Sequence, residues 1–262
     1  MRVAIDNFKK ARAKFLKTEY IYKKKSKILK NNFHLSDKII RNYSQLLQDI
    51  FVLTVLNGKK NGTYVEIGSS DPIRINNTFL LEEEYEWKGI GYDIDAKIVE
   101  KYNKLRKNVC KLQDATTSNF IKDFESIEMP TKIDFLQIDI EPAKYSLDCL
   151  YAIPFEEHIF NTIVFETEYY LEGDKYEKSS RNFLESKGYK LIFGRVGRLG
   201  KFQEDWYVHE SIFNNFYKIY KVQNFNEVDP RIIFFKNYKL SKLKILFGIT
   251  KNILFKNRDI YS

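Results

Sequence analysis

Hydrophobic and polar positions follow two alternating rhythms along this chain. Short runs dense in β-branched and aromatic residues predict strands at Thr63–Val65, at the IGYDID run ending on Asp93, at Val109–Gln113, Ile133–Ile140, Asn161–Glu168 and Tyr189–Val196. Between them lie stretches with helical spacing. Tyr43–Leu56 places apolar residues at 46, 47, 50, 51, 53, 55 and 56, most of a helical circumference, so it is expected to be buried against the sheet. Asn57-Gly58 and Asn61-Gly62 break it and deliver the chain into the first strand. Lys97–Lys107 reads as a polar helix, and a further helix finishes at Arg181–Ser186 before Gly188. Gly197–Val208 suits a hairpin partner for the sixth strand, closing on His209. Strands alternating with helices at this spacing predict an α/β fold, a mostly parallel, doubly wound sheet with helices on both faces.

Ligands of such sheets bind beyond the carboxyl ends of the strands. Glu66, Asp93, Asp114, Asp139 and Glu166 each close a predicted strand, so the fold would gather them on one rim. A single acid there is often a loop or N-cap residue; five in phase imply a binding edge. The first strand runs into Glu66-Ile67-Gly68, then Ser69 and Ser70, a turn in which glycine lets backbone approach a ligand closely. The interval from Glu66 to Asp93 suits one βαβ unit, whose second strand ends where ribose hydroxyls are held. No G-x-G-x-x-G follows the first strand, which argues against a dinucleotide dehydrogenase.

A hydrophobic fraction of 44% supports a real core, and charge then divides the chain. Residues 1–42 carry 13 Lys/Arg against 3 Asp/Glu and residues 231–262 carry 8 against 1, whereas 43–230 hold 23 against 31. Three regions follow: a basic helical extension (1–42), an acidic central domain (43–230) and a basic tail (231–262). The tail places Leu240, Leu243, Leu246, Phe247, Ile253 and Leu254 on one helical face among lysines, fit either for an anionic membrane surface or for docking on the domain. Cys110 and Cys149 have neither metal nor redox spacing, and no apolar run approaches the roughly 18 residues of a spanning helix. The expectation is a soluble cytoplasmic protein, peripheral to a membrane if the basic arms bind one.

Five motifs in order, YSQLLQD (Tyr43–Asp49), VEIGSSDPIRINNTFLLE (Val65–Glu82), WKGIGYDID (Trp87–Asp95), IDFLQIDIE (Ile133–Glu141) and EDWYVHE (Glu204–Glu210), resemble the FkbM-type methyltransferases that use S-adenosylmethionine. The resemblance spans residues 43–210 and implies a class I methyltransferase fold of seven strands, the last antiparallel. It implies that Glu66, Gly68 and Ser69 meet the methionine end of the cofactor, that Asp93 holds the ribose hydroxyls and Ile94 flanks the adenine, and that Asp114 and Ala115 meet the adenine amino group. Asn77 and Thr78 match the family's pair at the start of the next helix. Family members methylate hydroxyl groups on sugars or polyketides, which implies O-methylation of a small-molecule or glycan acceptor. Two positions depart from the pattern: Asp71-Pro72 stands where many relatives have Asp-Gly, and Pro142-Ala143-Lys144 follows Glu141 where many continue Gly-x-Glu.

Methyl transfer requires alignment and a group to take the hydroxyl proton, for which Asp139, Glu141 and His209 are candidates. His34 and His158 have no partners in local motifs and read as structural. Asp139, Glu141, Glu166 and Glu168 offer oxygen ligands suited to a hard divalent cation such as Mg²⁺, though nothing in the spacing demands one. Two rival readings stand beside the methyltransferase of small hydroxyl acceptors. One is a noncatalytic scaffold, kept open by Pro72, Pro142 and Lys144; the other is a nucleic-acid methyltransferase recruited by the basic arms, against which stand the acidic body and the Asp-Ile-Glu-Pro exit of the fourth strand.

Overall fold

The computed structural model describes residues 29–198, 200–214 and 225–236. Its strands are β1 (Thr63–Ile67), β2 (Lys88–Asp93), β3 (Val109–Leu112), β4 (Lys132–Ile138), β5 (Ile159–Glu166), β6 (Tyr189–Arg198), β7 (Lys201–His209) and β8 (Phe225–Val228). The helices are α1 (Gln48–Val55), α2 (Phe79–Tyr85), α3 (Ala96–Leu105), α4 (Phe120–Ser126), α5 (Ala143–Ala152), α6 (Tyr169–Glu172), α7 (Lys175–Ser186) and α8 (Pro230–Phe234).

All eight strands form one sheet in the order β3-β2-β1-β4-β5-β7-β6-β8. Only β7 runs antiparallel, inserted between β5 and β6, and β8 pairs parallel with the outer side of β6. This is the class I methyltransferase arrangement with one strand added, eight in place of the seven expected. The Asn226 side chain of β8 lies over Gly194, where a Cβ would come within 2.2 Å of its oxygen.

Strand parity sorts the core into two layers. Tyr64, Phe135, Val164, Trp206 and Val208 point to the face covered by α1, α2 and α8, where Phe51 lies 4.9 Å from Trp206 between ring centroids. Val65, Ile67, Leu136, Ile138, Ile163, Phe165 and Tyr207 point to the opposite face, against Phe120 and Phe124 of α4, Leu150 of α5 and Leu184 of α7. These inner strands are buried on both faces and so read as continuous apolar runs.

The ends of the domain differ from the sequence reading. Helix α1 begins at Gln48 rather than Tyr43, because Asp49 reaches back and accepts from the Tyr43 and Ser44 N–H groups and from Ser44 Oγ, holding 43–47 as a loop. The described part of the basic extension, 29–42, has only a 3₁₀ turn at Ser36–Lys38. It is bound into the core instead of forming a solvated helix: Leu29, Phe33 and Ile39 are buried, and Leu29 bridges Phe235. The amphipathic stretch from 238 onward lies outside the described residues, as do residues 1–28. Both cysteines are free and buried.

Candidate active site

At the carboxyl edge of the sheet β1 has β2 on one side and β4 on the other, so the chain departs in opposite directions from neighbouring strands. The crevice left there is a cavity of about 820 Å³, within the range that holds a cofactor-sized ligand. Glu66, Gly68, Ser69, Asn77, Asp93, Ile94, Asp114, Ala115, Asp139 and Glu141 all line it, whereas Glu166, expected on the same rim, is buried and does not.

The turn after β1 is held by backbone geometry. Gly68 has φ +82°, and a Cβ there would sit 1.9 Å from the carbonyl oxygen of Asp139, so β1 and β4 can close on each other only around glycine. The Gly68 and Ser69 N–H groups both donate to the Tyr92 carbonyl. Asp93 accepts from the Ser70 N–H at 2.8 Å and from the Asp95 N–H at 2.9 Å, fixing its carboxylate while leaving lone pairs toward the cavity. Asp114 spends one oxygen on the Thr116 N–H and hydroxyl. Ile94 stands 74% exposed beside the mouth. Pro72 leaves the turn intact: Asp71 accepts from the Ile73 and Arg74 N–H groups and pairs with Lys101, which together hold its carboxyl below the usual range although burial pulls the other way.

Behind this turn lies a buried polar network the sequence reading missed. All five N–H groups of Arg106 find acceptors: Nε donates to Glu82 at 3.0 Å, Nη1 to the Pro72 carbonyl and Asn76 Oδ1, and Nη2 to Tyr64 Oη and Thr78 Oγ1. The side chain is 0% exposed and Glu82 2%. Burial alone would raise the Glu82 carboxyl, but Arg106, the Lys107 N–H and Asn108 hold it below the usual range. Asn76 joins the pieces. Its amide donates to Glu66 and the Ser69 carbonyl, while its oxygen accepts from the Thr78 and Phe79 N–H groups where α2 begins. Thr78 is therefore a structural partner of Asn76 and Arg106 and does not face the cavity, whereas Asn77 does, with its buried Oδ1 unpartnered.

His209 is a correction. Because β7 runs antiparallel, its last residue lies at the opposite edge of the sheet from the cavity, across from Tyr189 and bonded to Ser211. Burial lowers its imidazole pKa, opposed by Glu210. It cannot take a proton from a ligand bound at the other rim. Among the described residues no three His, Cys, Asp or Glu side chains converge so as to hold a metal ion.

The carboxyls of the site are unequal. Burial pushes Glu66 up to about 7, against the Arg106 charge and hydrogen bonds from Thr78 and Asn76. Asp139 is pushed up to about 7 by burial and then by the charges of Glu141 and Glu168, with Lys201 opposing. Glu204 does not line the cavity but lies beneath it on the α1 face; burial and then the Asp139 charge push it up to about 8, although Trp206 Nε1 and Gln48 Nε2 donate to its two oxygens.

No family model and no curated protein matches this sequence. Solved structures similar to it include a putative rRNA-methylase from Clostridium thermocellum, at 11% identity over 65% of this chain and 97% of that one, with a TM-score of 0.45. A TehB-like SAM-dependent methyltransferase from Corynebacterium glutamicum matches at 11% identity over 67% and 92% of the two chains, with a TM-score of 0.41. A fibrillarin/Nop5p complex matches at 17% identity over 69% and 90%, with a TM-score of 0.43. With every one of these TM-scores below 0.5, the class of fold rests on the strand order of this chain.

Two outcomes follow from the network and the buried carboxyls. Arg106→Met strands the buried Glu82 charge and is expected to cost about 3–5 kcal/mol in denaturant unfolding; a loss under 1 kcal/mol would show that the pair is solvated. Glu204 is raised in the folded state, so its contribution to stability is intact below the unfolded value of 4.5 and is lost as pH climbs through about 8. Unfolding free energy should fall across that window, and Glu204→Gln should flatten the slope by about one proton. Identical slopes for the two proteins would rule out a raised Glu204.

Proposed function

We propose that the chain is an S-adenosylmethionine-dependent O-methyltransferase of the FkbM type, acting on a hydroxyl of a sugar, glycan or secondary-metabolite acceptor. The observation that carries this reading is the charge of the cavity. Six carboxyl side chains line it, Glu66, Asp71, Asp93, Asp114, Asp139 and Glu141, against the single guanidinium of Arg74. Such a wall repels the phosphates of nucleotide cofactors and suits a cofactor with a cationic sulfonium and ammonium.

The residues fit that cofactor part by part. The free lone pairs of Asp93 suit the two ribose hydroxyls, and the remaining oxygen of Asp114 suits the adenine amino group, with Ile94 and Ala115 as its apolar flanks. Asn77 Oδ1, buried and unpartnered, together with Glu66, suits the methionine ammonium, and the space kept clear by Gly68 lets the chain pass close to the backbone. When bound, the cofactor supplies a methyl group on sulfur that an oxygen nucleophile takes by in-line displacement. The chain then has to orient the acceptor, exclude water and hold its proton. Asp139 is the proton acceptor: it lies at the exit of β4, lines the cavity, and has a carboxyl raised to about 7, so it is basic enough to take a proton near neutral pH. Within this reading the protein is cytoplasmic and its basic ends give peripheral contact with an anionic membrane. No described helix is long and apolar enough to cross one.

Calorimetry should show S-adenosylmethionine binding, weakened by about 1.5–3 kcal/mol in Asp93→Ala. No heat from the unaltered chain would leave the noncatalytic scaffold as the better reading. Label transfer from methyl-labelled cofactor, screened over nucleotide sugars, lipid-linked glycans and RNA, identifies the acceptor; incorporation into RNA alone would replace the sugar hydroxyl with a nucleic acid. Asp139→Asn is expected to lower kcat by about 10²–10⁴ with cofactor affinity kept. Because Asp139 works as its carboxylate, the rate of the unaltered enzyme should rise as pH climbs through about 7 and fail below it. A profile flat from pH 6 to 8 would assign the proton elsewhere.

A further inference from the structure

The sheet carries two polar rows where its α1 face meets the cavity. In the lower row Glu66 of β1 pairs with Gln137 of β4, and Gln137 with Val164 of β5. Continuing the β4–β5 register by one residue from Ile138 and Phe165 puts Asp139 beside Glu166, and Glu166 pairs with Glu204 of β7. Strand parity points Gln137, Asp139, Glu166 and Glu204 to the same face as Tyr64, Val164 and Trp206.

Two members of this group carry unanswered hydrogen-bonding capacity. Gln137 is 1% exposed and has no partner for either amide atom, and Glu166 is 3% exposed with Oε2 unpartnered. Neither lines the cavity; both lie behind its floor next to Asp139. Buried groups of this kind are ordinarily satisfied by internal water, which needs two to four polar partners and room for about one molecule. The Gln137 amide of β4, two residues before Asp139, and the Glu166 carboxyl, next to Asp139 across the continued β4–β5 register, offer such partners.

We propose that the proton taken from the acceptor hydroxyl is held by a water-bridged trio of carboxyls, Asp139, Glu166 and Glu204, ordered by the Gln137 amide, and not by Asp139 alone. This rests on the methyltransferase reading above. The acceptor oxygen bonds to the methyl carbon, the electron pair of the broken carbon–sulfur bond stays on sulfur, and the hydroxyl proton moves to an Asp139 oxygen. The bridging water accepts that proton as it gives one of its own to Glu166 or Glu204. Asp139 is thereby returned to carboxylate, its negative charge restored at the cavity, while the proton is held behind the cavity floor. Glu141, Glu168 and Lys201 face Asp139 electrostatically, and Glu204 is faced by Asp139 and by the donors Trp206, Gln48 and Gln203. Gln137 and Glu166 are positioning residues here, since they act through Asp139.

Infrared titration of the full chain without cofactor reads protonated carboxyls directly. The expected result is that Asp139→Asn lowers the Glu204 step by roughly one pH unit and that Glu166→Gln shifts both steps downward. Glu166→Gln breaks no bond from Oε2 to another protein group and keeps the side-chain shape, so it tests the trio even if variants at Glu204 unfold. A Glu204 step unmoved by Asp139→Asn, or both steps unmoved by Glu166→Gln, overturns the shared proton. In label-transfer assays Glu166→Gln should shift the acid limb of kcat down with KM for the cofactor unchanged; an unshifted limb overturns the relay. Failure of the unaltered chain to bind S-adenosylmethionine in calorimetry would remove the methyltransferase reading and with it the proton's source, while the infrared steps decide independently whether the trio exists.

Discussion

Arg106 is the constraint on which the site depends. A guanidinium cannot give up its charge and offers five donors in a rigid fork, so burying it obliges the surroundings to supply matching acceptors. They come from four places in the chain: Tyr64 of β1, the Pro72 carbonyl in the loop after it, Asn76 and Thr78 at the entry to α2, and Glu82 within α2. The loop that carries Ser69 to Asn77 past the ligand crevice is thus fastened from behind by one side chain. A lysine, with three donors on a flexible stem, could not satisfy the same set. The arrangement explains how the turn tolerates Pro72: proline lacks an N–H, but here the bond that matters is to its carbonyl.

The second determinant is a concentration of negative charge at one rim with no equal supply of cations. Burial makes the carboxyls there resist ionisation, each to a different degree according to its neighbours. Burial raises both Glu66 and Asp139 to about 7; at Glu66 the Arg106 charge and the Asn76 bond oppose it, whereas at Asp139 the charges of Glu141 and Glu168 add to it. In the proposed reading the first would meet the methionine end of the cofactor and the second the acceptor, so similar groups would serve attraction in one place and proton transfer in the other.

Much of this was legible in the sequence, because it depends on order along the chain. Strand-ending acids in phase are a property of a parallel sheet, and ten of the residues expected at the cofactor and proton-transfer sites do line one cavity. What failed was whatever depended on direction or on partners distant in sequence. His209 follows a strand as Asp139 does, yet the reversal of β7 carries it to the far edge. Asn76 and Asn77 are adjacent and chemically identical; only the backbone decides that one bonds the start of a helix while the other faces the cavity. Arg106 gives no local signal, since a basic residue at the end of a polar helix resembles any solvated charge until Tyr64 and Glu82 are folded onto it. The start of α1 was misplaced for a similar reason: periodicity continues through 43–47, but Asp49 spends its carboxylate on those backbone N–H groups.

The added strand β8 has a consequence for association. Both outer strands, β3 and β8, are four residues long, while the inner strands β1, β2, β4, β5, β6 and β7 run to between five and ten. Among the described residues, an edge strand of that length presents few free backbone groups to a foreign strand. What β8 covers is the middle of the ten-residue β6, Phe193 to Val196, so it breaks what would otherwise be an uninterrupted row of backbone groups along which a second copy of this chain could zip.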